Sequence, residues 1–78
     1  MTRLEKLIER IRARPPEADF GNVQRLLEAF GYELKRQEGS HVAFKKPGER
    51  TITMPLVSGR RVKRVYLDQI CELLGLDD

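Results

Sequence analysis

Gly31-Tyr32-Glu33-Leu34-Lys35-Arg36-Gln37-Glu38-Gly39-Ser40-His41-Val42-Ala43-Phe44-Lys45 is the stretch in which the hydrophobic period of the chain changes. Tyr32 and Leu34 alternate with Glu33 and Lys35; beyond Gly39-Ser40, Val42 and Phe44 alternate with His41, Ala43 and Lys45. A period of two on both sides of a Gly-Ser pair predicts a β-hairpin. Pro47-Gly48 supplies a second turn, after which Ile52 and Met54 alternate with Thr51 and Thr53 until Pro55 ends the strand. The three strands form an antiparallel meander whose apolar face (Leu34, Val42, Phe44, Ile52, Met54) must be covered by helices.

The flanking sequence offers those helices. Phe20, Val23, Leu26, Leu27 and Phe30 recur at helical spacing, and Gly31 stands where a helix end needs a left-handed residue. On the other side, a loop from Leu56 to Arg61 leads into the stripe Val62, Tyr66, Leu67, Ile70, Cys71, Leu73 and Leu74, closed by Gly75. A further short stripe, Leu4, Leu7, Ile8 and Ile11, has Thr2 as N-cap and stops at Pro15-Pro16. With Glu17, Ala18 and Asp19, those prolines read as a stiff polar connector, so that the first helix packs on its own domain, the more ordinary outcome, or on another chain. The class is α+β: helix, three strands, helix, with an added helix in front. Residues 1–16 form a helical extension with its Pro-Pro linker, and residues 17–78 form the domain.

Seventy-eight residues leave room for one small domain and exclude an enzyme with several sites and a cofactor fold. At 40% hydrophobic and 35% charged, the chain is expected to be soluble and folded. One cysteine, Cys71, closes no loop within the chain, which suits a reducing, cytoplasmic address. There is no long apolar run, and the charged start Met1-Thr2-Arg3-Leu4-Glu5-Lys6 is unlike a signal peptide, so neither a membrane nor export is expected. The net charge of +3 conceals an uneven distribution: residues 32–64 hold nine basic and three acidic side chains, whereas residues 65–78 hold four acidic and no basic ones. A basic block of this kind suggests a surface that meets phosphate.

Two features carry chemistry. Alternation turns His41, Ala43 and Lys45 away from the core, so the only histidine meets water. An imidazole, with an ordinary pKa of about 6.5, exchanges a proton near neutrality, but taken alone a surface histidine is more often decoration than catalyst. The second feature is the basic set Lys45, Lys46, Arg50, Arg60, Arg61, Lys63 and Arg64, with Lys35 and Arg36 nearby. Cations at the start of the last helix oppose the helix dipole, a cost that hints at use in holding phosphate; the alternative is a solvated charge run. Cys71 reads as a small buried hydrophobe. No metal cluster, nucleotide-binding loop or Ser-His-Asp arrangement is evident, so no cofactor or metal is expected.

The ordered string from Val23 to Phe44, with Phe30-Gly31, a strand, Gly39-Ser40-His41 and an aromatic three residues on, closely resembles the HicA family of bacterial toxins. The likeness continues through Ile52-Thr53-Met54-Pro55, a basic loop with a Gly-Arg pair, and a last helix with Leu67 and Ile70, covering about residues 20 to 76. It departs from the family pattern at Val57, where many members have a histidine, and at Val65, where many have a glycine. The resemblance implies a dsRBD-like (double-stranded-RNA-binding-domain-like) α-β-β-β-α fold, metal-independent cleavage of mRNA, and neutralisation by a HicB-type antitoxin. It also implies a catalytic role for His41. In the resulting expectation, mRNA lies over the open sheet face and the basic loop. Lys45, Lys46, Arg60, Arg61, Lys63 and Arg64 hold phosphates, Gly39 and Ser40 shape the supporting turn, and His41 acts as general base. The rivals are a non-catalytic RNA-binding module of the same fold and a structural partner of an acidic protein.

Overall fold

In a computed structural model, which describes residues 2–77, Thr2 opens α1 (Arg3–Arg12) with a reciprocal capping box. The Glu5 amide donates to Thr2 Oγ1 and the Thr2 amide donates to Glu5 Oε1, both at 3.1 Å. Two orphan donors are thereby satisfied, and the same bonding holds the Glu5 carboxyl below the usual carboxylate range. The chain continues through β1 (Glu17–Asp19), α2 (Phe20–Ala29), β2 (Glu33–Glu38), β3 (His41–Lys45), β4 (Ile52–Pro55), β5 (Arg61–Lys63) and α3 (Arg64–Leu74). Strands β2, β3 and β4 form the expected antiparallel meander.

Val42, Phe44, Ile52 and Met54 are buried on one face of that sheet, against Phe20, Val23, Leu26 and Leu27 of α2 and Leu67, Ile70 and Cys71 of α3. Leu34 is only half-buried: β2 is an edge strand, and a bulge between Leu34 and Arg36 shifts its register. Among the described residues no charged or polar side chain is buried, so the core rests chiefly on apolar contact. Cys71 lies within it, and burial pushes its thiol pKa up, in keeping with the inert role expected.

Two parts differ from the sequence reading. Glu17-Ala18-Asp19 is not a plain connector, and Val62 is not in the last helix: both lie in a two-stranded antiparallel ladder, β1 with β5. Ala18 faces Val62 across it and both are buried, while Glu17 opposes Lys63 and Asp19 opposes Arg61, placing opposite charges across the ladder. Each strand is three residues long, too short to display a period of two. The ladder also serves the helices. Neither α2 nor α3 has a side-chain N-cap bond. The first amide of α2, Phe20 N–H, donates to the Arg60 carbonyl at 3.0 Å, and the first amide of α3, Arg64 N–H, donates to the Pro16 carbonyl at 3.1 Å.

The first helix packs on its own domain, against α2 and α3, with Ile11 only 1% exposed. The connector after it is clasped to α3 by Arg14, which has a left-handed backbone (φ 49°). Its guanidinium pairs with Asp68 and Asp77, and its carbonyl accepts from Arg64 Nε at 2.8 Å.

Ile11→Ala is expected to lower the unfolding free energy by about 2–5 kcal/mol in urea titration, the cost of truncating a core aliphatic. A loss below about 0.5 kcal/mol, typical of a surface site, would mean that α1 is no part of the core. Hydrogen bonding from Arg14 holds the Asp77 carboxyl below its usual range. A depressed carboxyl stabilises the fold above its unfolded-state pKa, near pH 4, and that contribution is lost as pH falls through the folded-state value. Asp77→Asn should therefore show a smaller fall in thermal midpoint between pH 5 and pH 2.5 than the parent chain; equal falls would contradict the clasp.

Candidate nucleic-acid interface

His41 owes its position to the turn before it. Glu38 and His41 are register partners, so Gly39-Ser40 is a two-residue hairpin loop. Gly39 has φ 58° and Ser40 is not among the residues of positive φ, the pattern of a type II′ turn with glycine first. A side chain at position 39 would be strained there. The turn lifts His41 onto the open face of the sheet, where it is exposed between Glu38 on β2 and Pro55 on β4. The Glu38 carboxylate is turned toward Arg36, 3.6 Å away.

The Ser40 carbonyl joins this turn to the basic segment. It accepts from the Leu56 amide at 2.6 Å, and the next residue, Val57, begins a hairpin that closes on Arg61. The amide of Val57 donates to the Arg61 carbonyl at 2.9 Å and the reverse bond is 3.2 Å. The loop between them, Ser58-Gly59-Arg60, turns through two residues of positive φ, Gly59 (80°) and Arg60 (56°). For a non-glycine residue this costs about 1–2 kcal/mol. The Phe20 amide bonded to the Arg60 carbonyl, and the Arg60 guanidinium 5.1 Å from the Phe20 ring centroid, offset that cost.

The six candidate phosphate ligands fall into two groups. Arg60, Arg61, Lys63 and Arg64 follow one another through the hairpin, β5 and the start of α3, all exposed. Lys45 and Lys46 lie at the other end of β3, with Lys45 four residues from His41 and thus roughly 13 Å along the strand. Lys45 opposes Glu33 in register, and the Lys46 ammonium sits 5.5 Å over the Tyr32 ring. Arg64 has an internal partner in the Arg14 carbonyl, which accounts for a cation at the positive end of the α3 dipole without a ligand. Arg61, Lys63 and Arg64 border a shallow groove with Pro16 and Val65, and Val65 is 54% exposed there.

Sequence reading found His41 and its turn but not the flanking Glu38 and Pro55. The signal was present: a two-residue turn at Gly39-Ser40 makes residues 38 and 41 opposite neighbours. The backbone bond from Leu56 to Ser40 has no signature in side-chain chemistry. Among the described residues, no three His, Cys, Asp or Glu side chains are grouped to share a metal ion, and no helix is long and apolar enough to cross a membrane.

Comparison with protein families matches residues 21–76 to the family described as "HicA toxin of bacterial toxin-antitoxin". Comparison with curated proteins yields no match, and comparison with solved structures yields none.

The two cation groups should behave differently toward single-stranded RNA. Each lost phosphate contact lowers the slope of log affinity against log salt by about 0.7. Replacing Arg60 and Arg61 together with Ala is expected to lower the slope by about 1.4, and Lys46→Ala by less than half of that, measured by fluorescence titration between 50 and 200 mM salt. Equal effects would mean that the interface spans both ends of the sheet.

Proposed function

Because the chain belongs to the HicA toxin family, we propose that it is a cytoplasmic, metal-independent endoribonuclease that cleaves mRNA and is neutralised by a HicB-type antitoxin. The observation that carries this reading is the histidine of the family's Gly-Ser-His string, exposed on the open sheet face and linked through the Ser40 carbonyl to the basic hairpin.

In this reading the RNA backbone crosses His41 and the hairpin, with Arg60, Arg61, Lys63 and Arg64 nearest its phosphates and Lys45 and Lys46 further along the strand. His41 takes the proton of a ribose 2′-hydroxyl. The oxygen attacks the adjacent phosphorus, the bond to the 5′-oxygen breaks, and a 2′,3′-cyclic phosphate and a 5′-hydroxyl remain once a proton reaches the leaving oxygen. Guanidinium groups beside the phosphate stabilise the charge that builds on its oxygens in the transition state. Gly39 and Ser40 hold the imidazole in place through the turn, and no cofactor takes part.

His41→Ala, assayed on purified protein with a single-stranded RNA in EDTA, is expected to lose about 10²–10⁴-fold in cleavage rate, the usual share of a general base, while retaining RNA affinity and urea midpoint. Full activity in that variant would end the assignment of His41. Binding without cleavage by the parent chain would favour the non-catalytic RNA-binding module instead.

A further inference from the structure

Of the two outer strands of the sheet, β4 pairs with β3 in unbroken register, whereas β2 carries the bulge. Leu34 pairs with Phe44 and Arg36 with Ala43, so two steps along β2 correspond to one along β3. Unbroken alternation would put Leu34, Arg36 and Glu38 on one face, the face on which Leu34 packs against the core. The extra residue, Lys35, reverses the phase. Leu34 stays with the buried Phe44, while Arg36 and Glu38 turn to the open face with their partners Ala43 and His41. Bulges that re-aim a side chain in this way are over-represented beside active sites.

The bulge makes Arg36 the cation nearest to His41 in the register of the sheet. Its partner Ala43 lies two residues from His41 on the same strand and face, so Arg36 and His41 are diagonal neighbours, with backbones roughly 7–8 Å apart. Lys45 is four residues from His41 along β3, and Arg60 to Arg64 lie beyond β4, on the hairpin, β5 and the start of α3. Ala43 contributes only a methyl group between Arg36 on β2 and Thr53 on β4. The open face thus has a shallow floor at Ala43, with a guanidinium on one flank, a hydroxyl on the other and the imidazole at one end. The Arg36 guanidinium rests against the Glu38 carboxylate at 3.6 Å, and the two side chains are 72% and 73% exposed, a pair too well solvated to resist displacement by a phosphate.

We propose that the scissile phosphate sits over Ala43 and that Arg36 is the catalytic residue that takes up the charge developing on it. This deepens the ribonuclease reading above and rests on it. As His41 takes the proton of the 2′-hydroxyl, the 2′-oxygen bonds to phosphorus and the non-bridging oxygens gain negative charge until the bond to the 5′-oxygen breaks. That oxygen leaves with the bonding pair and takes a proton from water, and the proton held by His41 returns to solvent. A guanidinium meets two phosphoryl oxygens at once through its planar fork, which an ammonium does not. Arg60, Arg61, Lys63 and Arg64 then hold flanking phosphates and govern grip on the RNA more than the chemical step.

The test is single-turnover cleavage of a single-stranded RNA by the full chain, in EDTA and at saturating protein, with RNA affinity measured alongside by fluorescence titration. Arg36→Ala is expected to slow cleavage about 100-fold, the usual cost of one donor to a developing oxyanion. Its affinity for RNA should fall by less than about fivefold, the share of one exposed ion pair, with the urea midpoint unchanged. Arg36→Lys keeps the charge without the fork and should recover part of the rate. Added guanidinium ion, compared with sodium at equal ionic strength, should restore cleavage to Arg36→Ala and not to His41→Ala, a rescue that a merely structural arginine would not show. Should Arg36→Ala not fold, Arg36→Gln, which keeps most of the side chain's length, carries the same comparison. Cleavage at the parent rate in these variants overturns the proposal. So does a loss confined to affinity, or one that guanidinium ion fails to restore. Absence of RNA cleavage by the parent chain overturns the ribonuclease reading itself.

Discussion

The β1–β5 ladder is six residues in two short strands, and both core helices start from it. Phe20 and Arg64, the first residues of α2 and α3, donate their amides to the carbonyls of Arg60 and Pro16, so each helix begins beside the start of the opposite strand. A helix N-terminus leaves amides that need partners, and a domain this small has few side chains to spare as caps. Pairing the two helix starts through one ladder meets that need. It also seals the core with Ala18 and Val62 and turns Arg61 and Lys63 outward. The basic surface is thus a by-product of alternation in a strand whose central residue is required by the core.

The same logic separates chemistry from stability on the larger sheet. Its inner face carries the apolar contacts that hold the fold; its outer face carries His41, Ala43, Lys45 and their cross-strand neighbours. General base chemistry on an RNA phosphodiester needs a proton acceptor, cations and a defined backbone, all of which fit on one exposed turn and one hairpin. No cavity has to be enclosed. The proposed chemistry therefore asks of this HicA-family chain only an exposed turn and a neighbouring hairpin.

The structure also spends its charged residues unevenly. Arg14 is committed to Asp68 and Asp77, Arg64 to the Arg14 carbonyl, Lys46 to the Tyr32 ring and Arg60 in part to Phe20. Exposed pairs of this kind contribute modestly to stability. Their effect is to fix where the connector and the hairpin lie, and so the directions from which the cations meet a ligand.

Alternating and helical periods in the chain were sufficient to place α1, α2, the three-stranded meander and most of α3, because each buries one face over several residues and the repeat is visible in side-chain type. Gly31 and Gly39 were legible for a related reason: both take positive φ, which glycine accepts without strain. His41 was legible as an outward-facing residue by the same alternation, and its place in a Gly-Ser-His string pointed to the family. The tertiary structure alone decided the β1–β5 ladder, the transfer of Val62 from helix to strand, the division of the cations between two ends of the sheet, and the contrast between its two edges. These depend on backbone hydrogen bonds between segments more than forty residues apart, or on which strand lies outermost, and neither leaves a pattern in the order of side chains.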